Sequence, residues 1–248
     1  MVGPDSLTRL HGDIVAASRT YQPPADVLSR VDEEYRGYIV NAEGRSFYYQ
    51  WLALAVRLLK PSLAVELGGG LGASTLIMLS ELPMAARLVT CDLRPTLKFV
   101  PASATSDARF RFVSGNDLDL SIFGVDLPIG IDLLFIDTDH TFVQLAAEWS
   151  VYRHLCNPGA LVVLDDVLMN DLPRFWEALP YPKLELTREC HFSGFGAFRY
   201  ETEARPNPLE AYRAALRVAW AGAADREETS GRCRALATRI RRVWKRRR

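Results

Sequence analysis

From about Ser62 onward, short β-branched apolar runs alternate with longer segments of helical period, and this alternation constrains the fold more than any other feature. Runs that are apolar on both faces suit a parallel sheet covered by helices on each side. Strands are predicted over Ser62–Leu67, Arg87–Asp92, Arg109–Ser114, Ile131–Asp137 and Ala160–Asp165, with Leu184–Thr187 and Gly196–Tyr200 as a closing antiparallel pair. Helices are predicted over Phe47–Leu59, Ala73–Glu81, Phe142–Leu155 and Leu172–Leu179. The order argues one α/β domain over residues 38–205, a doubly wound sheet of seven strands. Residues 1–37 have weak periodicity, with Pro23 and Pro24, and are expected to form an N-terminal helical cap. Residues 206–248 read as a tail with helices over Leu209–Ala221 and Cys233–Trp244.

Composition excludes several classes. The 248 residues are 48% hydrophobic and 24% charged, so the chain is not disordered as a whole. Thirty basic and thirty acidic residues balance, but nine of the basic ones lie between Arg232 and Arg248, where no acid occurs. Contact with an anionic surface is therefore an expectation for the tail only, and no nucleic-acid partner is expected for the body. Cys91, Cys156, Cys190 and Cys233 are too scattered for a zinc cluster and read as reduced thiols. The N-terminal segment lacks the apolar core of a signal peptide and no run is long enough for a membrane span, so the expected location is cytoplasmic.

Glu66-Leu67-Gly68-Gly69-Gly70-Leu71-Gly72 closes the first strand and opens a helix that begins with Ala73, Ser74 and Thr75. Glycines there let a ligand approach the backbone closely. Gly68-x-Gly70-x-x-Ala73 also satisfies the looser dinucleotide pattern, which admits an NAD(P)-dependent oxidoreductase of Rossmann fold. A carboxylate at Glu66 would repel a pyrophosphate, whereas S-adenosylmethionine has no phosphate and carries an ammonium group. Asp92 ends the second strand, where a carboxylate can accept both ribose hydroxyls, and Asn116 and Asp117 follow the third strand, near where an adenine would lie.

Glu66-x-Gly68-x-Gly70-x-Gly72 with Asp92 resembles the class I S-adenosylmethionine-dependent methyltransferases, whose fold is Rossmann-like with a terminal antiparallel strand pair. The resemblance implies cofactor contacts from Glu66, Gly68, Gly70, Gly72, Ser74, Asp92, Asn116, Asp117 and Asp137.

Asp137-Thr138-Asp139-His140 ends the fourth strand and Asp165-Asp166 the fifth, so adjacent strand ends gather several carboxylates at the ligand-binding edge of the sheet. Such groups repel one another unless a cation holds them, and oxygen ligands suit Mg²⁺ or a similar divalent ion. The plainer alternative is helix capping or pairing with a base such as Arg153. This second pattern resembles the metal-dependent O-methyltransferases, the group of catechol and caffeoyl-CoA O-methyltransferases and related bacterial enzymes. It implies Asp137, Asp165 and Asp166 as metal ligands. His140 stands where plant and animal members carry a lysine as proton acceptor, which makes His140, with Asp139, the candidate base. Glu43-Gly44-Arg45 is similar to a Glu-Gly-Gln segment of that group, and places Val40 and Asn41 as candidates for closing over the cofactor.

The resulting expectation is methyl transfer to a hydroxyl of a small molecule, a phenol, catechol or sugar or natural-product diol. The non-enzymatic alternative is a binding protein that works through the basic tail. The aromatic residues Tyr35, Tyr38, Phe47, Tyr48, Tyr49 and Trp51 read either as core or as pocket lining, and the surface around Tyr38–Leu59 makes a homodimer an expectation.

Overall fold

The computed structural model describes residues 5–40, 47–94, 96–124 and 126–201. Seven strands form one sheet in the order β3-β2-β1-β4-β5-β7-β6. They are β1 (Leu63–Leu67), β2 (Arg87–Asp92), β3 (Phe110–Ser114), β4 (Ile131–Ile136), β5 (Cys156–Asp165), β6 (Lys183–Glu185) and β7 (Phe195–Arg199). The first five run parallel to one another, while β7 runs antiparallel to both β5 and β6. Strand order reverses between β1 and β4, the switch point where open α/β sheets leave a crevice beyond their carboxyl ends. The glycine loop after β1 and the loop of residues 137–140 after β4 start there.

Alternate residues of each strand feed two cores. Ala64, Leu88, Leu161 and Val163 face the helices α1 (Asp5–Ser18), α3 (Glu33–Val40), α4 (Tyr48–Leu59) and α5 (Ala73–Glu81). Val65, Leu67, Val89, Val162 and Leu164 face α7 (Phe142–Tyr152) and α8 (Leu172–Ala178). A register shift between Ile131 and Leu133 explains why Ile131 and Leu134, three apart, share one face of β4. Two further four-residue helices, α2 (Ala25–Leu28) and α6 (Ala102–Thr105), complete the set among the described residues.

Helix α4 is buried along Tyr48–Val56, with Trp51, Leu52 and Leu54 fully inaccessible, as befits a helix covered by α1, α3 and α5 as well as by the sheet. Each such side chain contributes roughly 1.5–3 kcal/mol by its removal from water. Its aromatics are thus packed largely into the chain's own core. The weak periodicity of the N-terminal segment conceals a 14-residue helix, α1, whose Leu7, Leu10 and Ile14 lie on one face and are buried. Trp51 Nε1 donates to His11 Nδ1 at 3.2 Å, which fastens α1 to α4.

β5 begins four residues earlier than its apolar run suggests, at Cys156, because Cys156 already pairs with Ile131 of β4 ahead of the irregularity at residues 157–159, where Gly159 has φ +78°. Cys91, Cys156 and Cys190 are free and buried. The two tail helices, Cys233, and the Asn41–Arg45 segment lie outside the described residues. Among the described residues no helix is long and apolar enough to cross a membrane.

Candidate active site

The loop after β1 is shaped by close approach. Gly68, with φ +86°, lies so near the start of the loop after β4 that a Cβ would stand 1.7 Å from the Asp137 carbonyl oxygen. Gly72, with φ +88°, caps α5 and packs against Val100 and Leu97. Gly70 is also left-handed, at φ +49°, but its missing Cβ faces open space. Its N–H donates to Asp92 Oδ2 at 2.9 Å, and Arg94 N–H donates to Oδ1 at 2.8 Å, so the end of β2 holds the crest of the loop.

Glu66 lies beneath the loop and does not line the crevice. It is fully buried and accepts from Ser74 Oγ at 2.5 Å, Thr75 Oγ1 at 2.5 Å and Thr90 Oγ1 at 2.7 Å. Burial raises its pKa and the three hydroxyls oppose that rise. Its work is therefore to tie β1, β2 and the first turn of α5 together, and Ser74 reaches the crevice from that same turn.

Above the loop lies a cavity of about 460 Å³, within the range of small-molecule sites. Gly68, Gly70, Gly72, Ser74, Asp92, Asn116, Asp117, Asp137 and Asp139 all line it, with Tyr35, Tyr49 and Gln144. Cys91 lines it too, but burial pushes its thiol up to about 12, so it is no nucleophile at neutral pH. Sequence reasoning missed Glu148, which is fully buried on α7 and accepts from Thr138 Oγ1 at 2.7 Å and Gln144 Nε2 at 2.6 Å. It also hydrogen-bonds Asp117; burial first, and then that neighbouring charge, push its pKa well up. A lone acid in an otherwise apolar stretch of α7 was the available signal.

Asp137 belongs to this cavity and also to a second group at the ends of β4 and β5. Tyr48 Oη donates to Asp165 Oδ2 at 2.7 Å and lies 3.5 Å from Asp137 Oδ2. His140 stands between two carboxylates, with Nδ1 2.8 Å from Asp166 Oδ2 and Nε2 3.4 Å from Asp137 Oδ1. These hydrogen bonds raise its pKa to about 10, while burial and the Asp165 charge raise that of Asp137. Asp166 goes the other way: burial would raise it, but His140 and Ser193 together hold it below the usual range. His191, from the turn between β6 and β7, places Nε2 2.7 Å from Asp165 Oδ1. Asp139 is exposed and turned toward the cavity.

Three contacts hold these loops in place. Asn170 Nδ2 donates to the His140 carbonyl at 2.8 Å and Phe142 N–H to Asp171 Oδ1 at 2.7 Å, so the loop after β5 clasps the loop after β4. Leu168 N–H donates to the Ser193 carbonyl at 2.9 Å, which docks the His191 turn on the same loop. The metal set suggested by the sequence is thus only partly assembled. Asp165 and Asp166 converge with His191, whereas Tyr48 and His140 stand between them and Asp137. Nothing in the sequence ties His191, in the turn between β6 and β7, to the end of β5.

Residues 65–167 match the family described as methyltransferase domain, and the match spans the glycine loop, Asp137 and both acids after β5. The region that holds the glycine loop and the strand-end acids is thus similar to that domain family. A catechol O-methyltransferase from Niastella koreensis is 30% identical over 126 residues, which is 48% of this chain. The match spans only 55% of that relative's length. Among solved structures, the domain is similar to an O-methyltransferase from Bacillus cereus in complex with SAH, with TM-score 0.56 and 20% identity over 77% of this chain and 97% of that one. It is also similar to the O-methyltransferase TomG from Streptomyces achromogenes in complex with SAM, with TM-score 0.55 and 21% identity over 79% and 99% of the respective chains. These likenesses establish a Rossmann-like methyltransferase fold and do not favour the oxidoreductase alternative.

Proposed function

We propose that the protein is an S-adenosylmethionine-dependent O-methyltransferase acting on a hydroxyl of a small molecule, a phenol, catechol or sugar or natural-product diol. The observation that carries this reading is the position of Asp137. It lines the glycine-loop cavity and also touches the carboxylate–histidine cluster, so a methyl donor in the first would lie next to a hydroxyl bound at the second.

The residues fit the donor. The missing Cβ at Gly70 leaves open space over the loop, Asp92 offers its remaining lone pairs to ribose hydroxyls, and Asn116 and Asp117 offer oxygens to an adenine amino group. S-adenosylmethionine supplies an electrophilic methyl on sulfonium sulfur. Tyr35 and Tyr49, which line the cavity, reduce its access to water.

The cluster fits an acceptor hydroxyl. As the oxygen–carbon bond forms and the carbon–sulfur bond breaks, the hydroxyl proton passes to His140 in its neutral form, which Asp137 and Asp166 make the minor form at neutral pH by stabilising the imidazolium. The donor set also fits a divalent cation, with Asp165 and Asp166 as holders. Such a cation would offset the carboxylate charge that keeps His140 protonated and would stabilise the developing oxyanion. Asp139 is the second candidate for proton uptake, from the cavity side.

The test is a methylation assay with S-adenosylmethionine against a panel of catechols, phenols and sugar diols, with S-adenosylhomocysteine as the readout. Turnover on vicinal hydroxyls that disappears in His140→Ala supports the reading, whereas turnover on nitrogen acceptors alone would replace it.

A further inference from the structure

The strand-end cluster holds a side chain whose chemistry the foregoing account leaves unused. His191 is 13% exposed and has each ring nitrogen committed to a different partner. Nδ1 lies 2.8 Å from Ser193 Oγ, and Ser193 in turn hydrogen-bonds Asp166. If the serine hydroxyl donates to the carboxylate, its oxygen accepts from Nδ1–H, which leaves the Nε2 lone pair directed at Asp165 Oδ1, 2.7 Å away. Two lone pairs at that separation need a proton or a cation between them.

The ring is held ready for this position. Tyr48 packs edge-on against it, with centroids 4.5 Å apart, and the same Tyr48 donates to the other oxygen of Asp165. Gly194 fixes the turn, since a Cβ there would meet Leu168 N at 2.6 Å. A histidine with one nitrogen oriented by a hydroxyl–carboxylate pair and the other turned to carboxylates is the usual disposition of a metal-ligating imidazole. Among the described residues, the acidic and histidine ligand atoms that converge within 4.8 Å of one another are those of Asp165, Asp166 and His191. Neighbouring ligands of an octahedral ion at about 2.1 Å lie on the order of 3 Å apart, close to the His191–Asp165 separation.

We propose that the divalent cation of this site is held by Asp165, Asp166 and His191, with His191 in the place that the sequence resemblance gives to Asp137, and that Mn²⁺ or another first-row transition ion is taken in preference to Mg²⁺. The proposal rests on the O-methyltransferase reading only for the use of the cation. The preference follows from the donors: imidazole nitrogen suits the first-row transition ions, whereas Mg²⁺ prefers oxygen alone and keeps much of its water. Asp137 is thereby left free to face the cavity, and His140 to exchange protons.

The test is Mn²⁺ titration of the full chain followed by electron paramagnetic resonance, without methyl donor or acceptor. Expected are loss of the free-ion signal and pulsed-resonance modulation from one directly bound ¹⁴N in the wild-type protein, with Mg²⁺ a weak competitor. His191→Ala should lose the modulation and bind Mn²⁺ more than about tenfold more weakly, whereas His140→Ala should keep the modulation. Melting curves of both variants establish that they are folded, and the wild-type spectrum is decisive without them. Bound Mn²⁺ with no ¹⁴N modulation, modulation that disappears with His140 but not His191, displacement by equimolar Mg²⁺, or no binding at all would each overturn the proposal. A parallel S-adenosylmethionine titration separates the two ideas: donor binding without nitrogen ligation removes the metal assignment alone, and absence of donor binding removes the functional reading.

Discussion

The two halves of the site are built on opposite principles. Around the glycine loop, shape comes from backbone and hydroxyl groups: Gly68 is pressed against the Asp137 carbonyl, Glu66 is surrounded by three hydroxyl donors, and Asp92 is tied to two backbone amides. At the ends of β4 and β5, shape comes from charge: three carboxylates are interleaved with two imidazoles and a phenol. The first half has little freedom to change with conditions and suits a fixed ligand. The second is held by interactions that a proton, a cation or a substrate oxygen can replace, and such a site suits chemistry.

This contrast can be broken from either side. The largest effect on the fold is expected from Gly68→Ala, because the new methyl would occupy the Asp137 carbonyl at a residue with φ +86°. A loss of at least about 3 kcal/mol should appear in urea denaturation, with donor binding lost alongside. Asp165→Asn attacks the other half. Its carboxylate accepts from Tyr48 and lies 2.7 Å from His191 Nε2, so turnover should fall by about 10²–10⁴-fold while S-adenosylmethionine affinity measured by calorimetry stays close to wild type. A variant with full turnover would mean that the cluster is structural.

Glu66→Gln sharpens the comparison at smaller cost. The amide keeps the volume but presents fewer acceptors to Ser74, Thr75 and Thr90, for an expected loss of about 1–3 kcal/mol in thermal or urea unfolding. Because Glu66 lies beneath the loop, turnover at saturating donor should hardly change. Phe192→Ala comes last. Phe192 is 90% exposed immediately after His191, so stability should stay within about 0.5 kcal/mol. A rise in acceptor KM without a change in donor affinity would show that this ring borders the acceptor, and no change in either would place it outside the site.

The sequence conveyed most of the sheet because its strands are uninterrupted apolar runs, and β2 matches its predicted limits at Arg87 and Asp92. Helix α1 was harder to read, since Leu7, Leu10 and Ile14 are diluted by polar neighbours and the helix is fixed by packing on α4. In the site, glycine spacing and strand-end acids were visible because they are local. Glu148 and His191 were not, and Tyr48 could be read only as core or pocket lining, because each acts on a residue at least 26 positions away or from within a stretch that reads as core. The charge argument placed Glu66 at the ligand, but the side chain supports the loop from below and does not face the cavity.

The most direct test of the central claim is a calorimetric titration of S-adenosylmethionine into the full chain, with NAD run in parallel. Saturable binding of S-adenosylmethionine, abolished by Gly68→Ala and retained in Asp165→Asn, with no heat from NAD, is the predicted result. Binding of NAD in place of S-adenosylmethionine would contradict the account.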